Sequence, residues 1–425
     1  MPDSPYLRIP VEAVTLGMYV HKLCGSWITH PFWRGCFLIE DPKDLLKLRQ
    51  SSVKEVLIDP RKGLSSAPPA QPDDARTSQY DVISPGASVT LAAQAPLQLS
   101  TSQRRSLEDE LQSARQLCIR SKKVVMEMFQ DARLGKVIQA EGAHALVSEI
   151  AASVERHPSA IISLARLKTA DEYTYLHSIA VCALMIALAR QIGLEESLVR
   201  EAGVAGLLHD IGKMSVPIDV LNKPGRLDES EFATVREHPR RGADILREGR
   251  QVSALVLDVC LHHHEKLDGT GYPHGLAGDQ ISLFARMGAI CDVYDAVTSD
   301  RPYKPGWDPA ESLQRMSRWC GGHLDGALFQ SFVRCLGIYP VGTLVHLQSE
   351  RLGVVVEQSS ELLLPIVKVF YSTRTKAALP IELIDLSNLK GQERILGREL
   401  PEKWGFRNLE ALWCNLDSRR GSLFE

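Results

Sequence analysis

The chain has 425 residues, of which 44% are apolar and 24% charged, and its formal net charge is -3. That length exceeds the usual size of one hydrophobic core, so we expect two or three domains. The near-neutral charge argues against a polybasic surface for a nucleic-acid polymer or a membrane. Any anionic ligand must therefore meet a local cluster of cations or metal ions.

Cysteine usage and hydropathy bear on the cellular compartment. The nine cysteines are scattered, odd in number and never spaced as C-x-x-C, which favours reduced thiols over a disulfide framework. The longest uncharged apolar run, 179–189, is shorter than the ~20 residues that span a bilayer. The N-terminus has no basic region followed by an apolar one. We therefore expect a cytoplasmic protein without a membrane segment.

Residues 1–62 predict a small α+β module, for which a regulatory role is one interpretation. The following stretch, 63–101, is rich in Ser, Ala, Pro and Gln and cannot bury enough apolar surface to fold alone, so we interpret it as a linker. The strands of the module are predicted at 7–11, 17–23, 36–39 and 55–58, and its helix at 42–50.

Helical periodicity dominates residues 102–336. A connecting segment, 102–139, contains a long amphipathic helix at 107–132, for which a role in forming a homodimer is an open alternative. The remainder, 140–336, predicts an all-helical bundle. Its helices are expected at 140–155, 171–192, 196–208, 228–248, 251–264, 282–299 and 308–318.

The pattern changes again after residue 336. Short β-branched runs separated by polar turns predict a β-rich appendage at 337–425. Its strands are expected at 343–347, 352–356 and 366–371. The predicted fold class is therefore mainly α: an all-helical bundle core with a small N-terminal α+β module and a β-rich C-terminal appendage.

Residues able to bind metal gather inside the helical segment. Neighbours on a helix diverge by roughly 100°, so His209 and Asp210 both reach one site only if it is wider than one ion. Two ions about 3.5 to 4 Å apart provide that width, and Asp210 between them is able to bridge both. The same geometry predicts that His263 and His264 divide between two ions. The full set comprises His177, His209, Asp210, His238, His263, His264 and Asp292.

The ligand types also bear on the metal and its surroundings. Imidazoles and carboxylates favour iron or manganese, with zinc and nickel left open. Lys213 follows Asp210 by three residues, on the same helical side, and is placed to stabilise charge on a phosphate oxygen or leaving group. Glu265, directly after the adjacent histidines, either orients a ligand or faces solvent.

These residues lie in motifs that resemble a known family. The motifs are "HDIGK" (209–213), "LNKPGRL" (221–227), "EHP" (237–239), "HHE" (263–265), "DGTGYP" (268–273) and "CDVYDAVTSDRPYK" (291–304). Over about residues 140–340 they resemble the HD-GYP subgroup of HD-superfamily metal-dependent phosphohydrolases. Residues 1–135, with "GMYV" and "DARLGK", resemble a domain of uncharacterised role commonly found ahead of an HD-GYP domain.

The resemblance implies a cyclic di-GMP phosphodiesterase that produces pGpG or, onward, GMP. It implies a metal-activated hydroxide as nucleophile and a ligand, His177, for a third ion where one binds. The ligands that it implies for two divalent ions are His209, Asp210, His238, His263, His264 and Asp292. Asp210 and Lys213 are the implied catalytic residues, Lys213 as the phosphate-facing lysine. The implied contacts to the nucleotide are Asp295, Arg301 and Lys304, with Tyr272 in the signature loop beside the metals.

One position departs from the resemblance. Members with three metals have a glutamate one turn before the residue matching His177, and here that position holds Tyr173. The third ion therefore stays open. Asp171, two residues earlier, is instead predicted to bind a water or a substrate phosphate and is a candidate catalytic acid.

Two other functions compete with cyclic di-GMP hydrolysis. The first is hydrolysis of another cyclic dinucleotide or nucleotide by the same metal centre. The second is a module that binds cyclic di-GMP without cleaving it or docks on a diguanylate cyclase through the GYP loop. The presence of every principal ligand disfavours the second function.

Overall fold

The computed structural model of the chain has two compact units, 1–97 and 98–425. The described residues are 6–24, 37–39, 41–50, 54–64, 107–138, 140–166, 173–223, 225–249, 252–299, 306–389, 391–406 and 409–414. The predicted linker therefore lies outside the described residues from residue 65 onward.

The first unit is a small α+β fold, as predicted. Its antiparallel sheet has the order β1-β4-β2-β3. Along β4 the side chains alternate, because successive residues of a strand point to opposite faces: Val56 and Ile58 are buried, whereas Glu55 is exposed. The elements are β1 (Leu7–Pro10), β2 (Tyr19–Cys24), β3 (Phe37–Leu38), α1 (Pro42–Gln50) and β4 (Glu55–Ile58).

The second unit begins with a helical bundle, which confirms the mainly α prediction. Its helices are α2 (Leu107–Arg133), α3 (Ala140–Arg156), α4 (Pro158–Arg166), α5 (Tyr173–Gln191), α6 (Glu196–Leu208), α7 (Ile218–Leu221), α8 (Glu229–Arg236), α9 (His238–Glu248), α10 (Ala254–His262), α11 (Leu283–Thr298), α12 (Pro309–Met316) and α13 (Gly326–Leu336).

Helix α5 is the central element of the bundle. It packs against α2, α3, α4, α6, α11 and α13. By length and composition alone, Thr174–Gln191 would be able to cross a membrane, but 78% of that stretch is buried inside the protein. A helix that is apolar all round and surrounded by other helices is typical of a bundle core.

The bundle differs from the sequence prediction in the region that leads to the site. The single helix predicted at 228–248 is two helices, α8 and α9, separated at Glu237. Pro239 explains the break, since proline lacks an N–H and fits only the first turn of a helix. Helices α4, α7 and α13 were missing from the predicted elements.

A five-stranded antiparallel sheet follows the bundle, with the order β8-β7-β6-β5-β9. Its two outer strands were not predicted: β8 exposes most of its residues and β9 is only four residues long, so neither has a clear alternating pattern. Arg398 joins the sheet to the bundle through Asp308 (3.5 Å) and Glu311 (3.4 Å). The elements are β5 (Leu344–Leu347), β6 (Arg351–Glu357), β7 (Ile366–Ser372), β8 (Ala377–Asp385), β9 (Ile395–Arg398), α14 (Pro401–Trp404) and α15 (Glu410–Cys414). The domain boundaries drawn from the sequence stay predictions.

Candidate metal centre

Histidine and aspartate side chains of the helical bundle form two groups. In each group one ligand atom from every residue lies within 4.8 Å of the others. The seven residues that the sequence predicts as metal ligands are therefore brought together. The first group is Asp210, His238, His263 and His264, and the second is His177, His209 and Asp292.

Two glycines allow the helices that carry these residues to approach closely. A Cβ on Gly212, in the turn after Asp210, would lie 1.9 Å from the backbone oxygen of His238. A Cβ on Gly242 would lie 2.7 Å from Sγ of Cys260. Because neither position carries a side chain, the Asp210 turn packs on α9 and α9 packs on α10. This close packing places ligands from three separate segments around one centre.

Asp210 lies between the two groups. Its Oδ1 atom is 3.2 Å from Nε2 of His238 and 3.7 Å from Nε2 of His263. Its Oδ2 atom is 3.3 Å from Nε2 of both His177 and His209. Each carboxylate oxygen therefore faces a different group, as a bridging ligand requires.

Backbone carbonyls fix the orientation of three imidazoles. Nδ1 of His209 donates to the carbonyl of Gly206 (2.8 Å), and Nδ1 of His238 donates to that of Val235 (2.7 Å). Nδ1 of His263 lies 3.0 Å from the Cys260 carbonyl. When Nδ1 carries the proton, Nε2 keeps its lone pair, and such bonds are typical of metal-binding histidines. All three Nε2 atoms face the centre.

His177 is oriented by a carboxylate instead. Nδ1 of His177 lies 2.6 Å from Oδ2 of Asp295, and its Nε2 lies 3.1 Å from Oδ1 of Asp292. Burial opposes a positive charge on His177, but hydrogen bonds to Asp210, Asp292 and Asp295 outweigh it and raise the pKa to about 10. This corner of the centre therefore strongly favours a positive charge.

The surroundings of Asp210, Asp292 and His264 favour the protonation states that metal binding needs. Burial opposes ionisation of Asp210 and Asp292. Lys213 and the surrounding histidines nevertheless hold the pKa of the Asp210 carboxyl well below its usual range, and His177 with other histidines does the same for the pKa of Asp292. Burial, aided by neighbouring His263, holds the pKa of His264 well below its usual range. Ionised carboxylates and neutral imidazoles are the forms in which these side chains bind metals.

The residues present fit a metal centre. Nε2 of His209 and Oδ1 of Asp210 are buried and, within the described part of the chain, have no hydrogen-bond partner. Buried polar atoms without partners are costly and rare in folded proteins. Divalent cations held by the two groups would satisfy these atoms and neutralise the carboxylates.

The sequence argument predicts that His263 and His264 divide between two ions, whereas the structure places both residues in the same group. Both belong to the group of Asp210 and His238, with their ring centroids 4.1 Å apart. The reason is that α10 ends at His262, so the two residues lie at and beyond the helix end. The divergence of neighbours in a regular helix does not apply there. His264 also approaches the second group, since its Nδ1 lies 3.8 Å from Oδ2 of Asp292.

Lys213 lies at the centre. Its ammonium contacts Oδ2 of Asp210. The lysine side chain is 22% exposed, whereas Asp210 is fully enclosed. Lys213 therefore connects the buried carboxylate with the solvent-facing side of the centre.

The signature loop is organised by Glu265, which neither orients a ligand nor faces solvent. Its buried carboxylate accepts hydrogen bonds from the backbone N–H groups of His274 (2.7 Å) and Leu276 (3.0 Å). A Cβ on Gly271 would lie 2.5 Å from Cα of Glu265, so the loop needs glycine there. The loop folds back on Glu265 and places the Tyr272 ring 4.8 Å from that of His264.

The remaining predicted site residues have different outcomes. Asp171, Arg301 and Lys304 lie outside the described residues, and their roles stay predictions. Asp295 is 3% exposed and binds His177. Its predicted contact with a nucleotide also stays a prediction, although its surroundings favour an orienting role.

Sequence reasoning missed Arg236, whose guanidinium carbon lies 4.6 Å from the centre of the Tyr272 ring. Its position two residues before His238 is a sequence signal for proximity to the metals. The ring that it faces depends on a loop more than thirty residues away, so the pairing itself has no local signal.

Comparison with known proteins agrees with this architecture. Residues 146–328 match the model of a family described as "HD domain". Residues 6–143 match the model of a "Domain of unknown function (DUF3391)". The first match contains the seven residues of the metal centre, and the second contains the elements of the first unit together with α2.

Similar proteins include the cyclic di-GMP phosphodiesterase PA4108 of Pseudomonas aeruginosa, 56% identical over 420 residues, or 98% of each chain. The cyclic di-GMP phosphodiesterase response regulator RpfG of Xanthomonas campestris is 43% identical over 155 residues, 34% of this chain and 40% of that protein. A 3'3'-cGAMP-specific phosphodiesterase of Vibrio cholerae is 37% identical over 167 residues, 39% of this chain and 38% of that protein. Since the Pseudomonas protein is matched along nearly its whole length, this chain belongs to the HD-domain cyclic di-GMP phosphodiesterase family.

Proposed function

We propose that the chain hydrolyses cyclic di-GMP at the centre formed by the two histidine and aspartate groups. The observation that carries the proposal is the placement of Asp210, with one oxygen toward each group, in a chain 56% identical end to end to a cyclic di-GMP phosphodiesterase. Hydrolysis adds one water across a P–O bond of the cyclic substrate and gives linear pGpG. A second cleavage would give GMP.

The metal ligands in this proposal are the seven residues of the two groups. Divalent ions held there supply Lewis acidity and make a water sufficiently acidic to attack at neutral pH. We propose two ions of iron or manganese, because imidazole and carboxylate donors without thiolate suit these metals. Tyr173 in place of a glutamate leaves a third ion without a carboxylate ligand at that position.

The side chains around the ligands prepare the centre for a phosphodiester. Asp295 and the carbonyls of Gly206 and Val235 hold imidazoles in one tautomer, so no reorganisation is needed when substrate arrives. The partly exposed ammonium of Lys213 is able to donate to a phosphate oxygen or protonate the departing ribose oxygen. Asp171, Arg301 and Lys304 remain proposed contributors to acid catalysis and substrate binding.

The proposal is tested by the double change of His209 and Asp210 to alanine. We expect loss of bound metal and turnover of cyclic di-GMP lower by about a hundred- to a thousandfold, the scale seen when charge stabilisation is removed from an active site. Because a buried double change is able to disturb folding, Asp210→Asn serves as the second variant, since it keeps the shape but removes the charge. His144→Ala, a histidine on α3 outside both groups, is the control. Parent-like metal content and turnover in the Asp210 variants would overturn the assignment.

A second candidate substrate is 3'3'-cGAMP. Its support is the 37% identity of the catalytic segment to a phosphodiesterase specific for that dinucleotide. The two substrates differ only in one base, so the metal centre by itself does not select between them. Parallel measurement of kcat/KM for cyclic di-GMP and 3'3'-cGAMP decides, and the full-length relative leads us to expect preference for cyclic di-GMP.

The proposals on cellular location and partners rest on fewer observations. Cys118, Cys182, Cys260, Cys291, Cys320, Cys335 and Cys414 are all free thiols, which suits a reducing cytoplasm. Docking of a diguanylate cyclase on the GYP loop and dimerisation through α2 remain proposals. Size measurement of the purified chain, alone and mixed with a cyclase, tests both.

A further inference from the structure

A row of side chains leads from the surface to the metal centre. Arg236 ends α8, and its guanidinium carbon lies 5.9 Å from the Phe232 ring and 4.6 Å from the Tyr272 ring. The Tyr272 ring in turn lies 4.8 Å from the ring of His264, with 33° between their planes. One aromatic ring therefore separates the Arg236 guanidinium from a residue of the first metal group.

Arg236, unlike Lys213, has no ionic partner among the described residues. Among the described residues, no carboxylate lies within 4.0 Å of its guanidinium, and the side chain is exposed. By contrast, Lys223 is paired with Glu231 at 2.6 Å, and Arg247 with Asp244 at 2.7 Å. An arginine held on an aromatic ring loses little conformational freedom and keeps N–H donors available for an anion.

A cyclic dinucleotide has a second negative charge that the metal centre does not neutralise. A cyclic dinucleotide has two phosphodiesters in one ring, each with a negative charge. When one of them lies at the metals, the other is still charged and needs a cation of its own. With a net charge of -3 the chain provides no general positive field, so a local cation must meet the second phosphodiester.

We propose that Arg236, held on the Tyr272 ring, binds the phosphodiester of the cyclic dinucleotide that is not being cleaved. This inference rests on the proposed function and deepens it by naming a subsite. Arginine is suited to the task, because its planar fork of donors matches two phosphate oxygens. Arg236 then acts mainly on substrate affinity, while the ligands and Lys213 act on the bond that breaks.

The test compares Arg236→Ala and Arg236→Lys on two substrates. Cyclic di-GMP has the second phosphodiester, whereas bis(p-nitrophenyl) phosphate is a diester with only one phosphorus. For Arg236→Ala we expect KM for cyclic di-GMP to rise about tenfold or more, as for loss of a hydrogen-bonded charge, with kcat nearly unchanged. The kinetics on the single diester should stay at the parent values. The lysine variant should recover part of the affinity.

Arg247→Ala, which removes an exposed cation from α9, is the matched control and should leave both substrates unaffected. Metal content and Tm of every variant are measured alongside. The subsite is overturned if KM for cyclic di-GMP is unchanged in Arg236→Ala, or if both substrates lose the same factor. A parent chain that cleaves the single diester but not cyclic di-GMP overturns the proposed function and the subsite with it.

Discussion

Nδ1 of His177 and Oδ2 of Asp295 lie 2.6 Å apart, although 118 residues separate them in sequence. The contact joins α5, the most enclosed helix of the bundle, to α11, which also carries Asp292. Because both atoms are buried, the hydrogen bond fixes the imidazole ring and directs Nε2 toward the centre. We therefore expect Asp295 to influence metal binding through the orientation of His177.

The variant Asp295→Ala tests this influence. We expect metal affinity to fall by about 10- to 100-fold, the usual effect of losing a residue that orients a metal-binding histidine. Asp295→Asn keeps an acceptor oxygen and should retain most of the affinity. Metal titration of the purified variants measures both. If Asp295 instead contacts the nucleotide, KM for cyclic di-GMP rises while metal affinity stays at the parent value.

Removal of metal by a chelator should lower the Tm of the chain by several degrees. The reason is that an ion bound only by the folded state stabilises it by mass action, about 2.7 kcal/mol at a concentration 100 times the Kd. Without ions, the ionised carboxylates of Asp210 and Asp292 are buried beside the histidines of the two groups. Asp210→Asn is the control, since its Tm should respond little to chelator. An equal response in parent and variant would place the stabilising ion elsewhere.

Gly212→Ala should disrupt the metal centre, although Gly212 is not itself one of the proposed ligands. The new Cβ would lie 1.9 Å from the oxygen of His238 and 2.4 Å from the backbone nitrogen of Gly242. Since both are backbone atoms, the clash is relieved only if the Asp210 turn moves away from α9. We expect loss of about 1 to 3 kcal/mol of stability or more, together with weaker metal binding. Gly142→Ala on α3, where a Cβ meets nothing within 4 Å, should be neutral or stabilising.

Glu265→Gln should loosen the signature loop while the metals stay bound. A glutamine amide presents donors to one of the two loop N–H groups, so a buried donor loses its acceptor, at a cost of about 1 to 3 kcal/mol. We expect a lower Tm, a higher KM for cyclic di-GMP through displacement of Tyr272, and parent-like metal content. Glu248→Gln, at the exposed end of α9, is the control. Parent-like KM in Glu265→Gln would contradict a link between this carboxylate and substrate binding.

Much of the centre was predictable from local sequence because its ligands lie in short motifs. The histidine and aspartate at 209–210 and the pair at 263–264 are visible without a structure. The division of these residues between the two groups was not predictable, since it depends on where α6 and α10 end. Helix ends respond to tertiary packing, here to the close approach at Gly212 and Gly242.

Other features had no local signal at all. The side chain of Glu265 binds N–H groups 9 and 11 residues further along the chain, and its neighbours in sequence do not reveal that distance. Strand β8 contains Pro380 and exposes Ile381 and Leu383, so it lacks the alternation that identified the inner strands. In both cases contacts with a distant part of the chain, rather than the local sequence pattern, determine the structure.

In the proposed two-ion centre, the position of Asp210 links the binding of one ion thermodynamically to the binding of the other. Each of its oxygens serves one group, so an ion that neutralises the carboxylate from one side changes the electrostatic potential at the other. By reciprocity, each ion alters the affinity of the other by the same factor. A calorimetric titration of the metal-free chain should therefore deviate from two independent sites, and Asp210→Asn should remove most of that coupling.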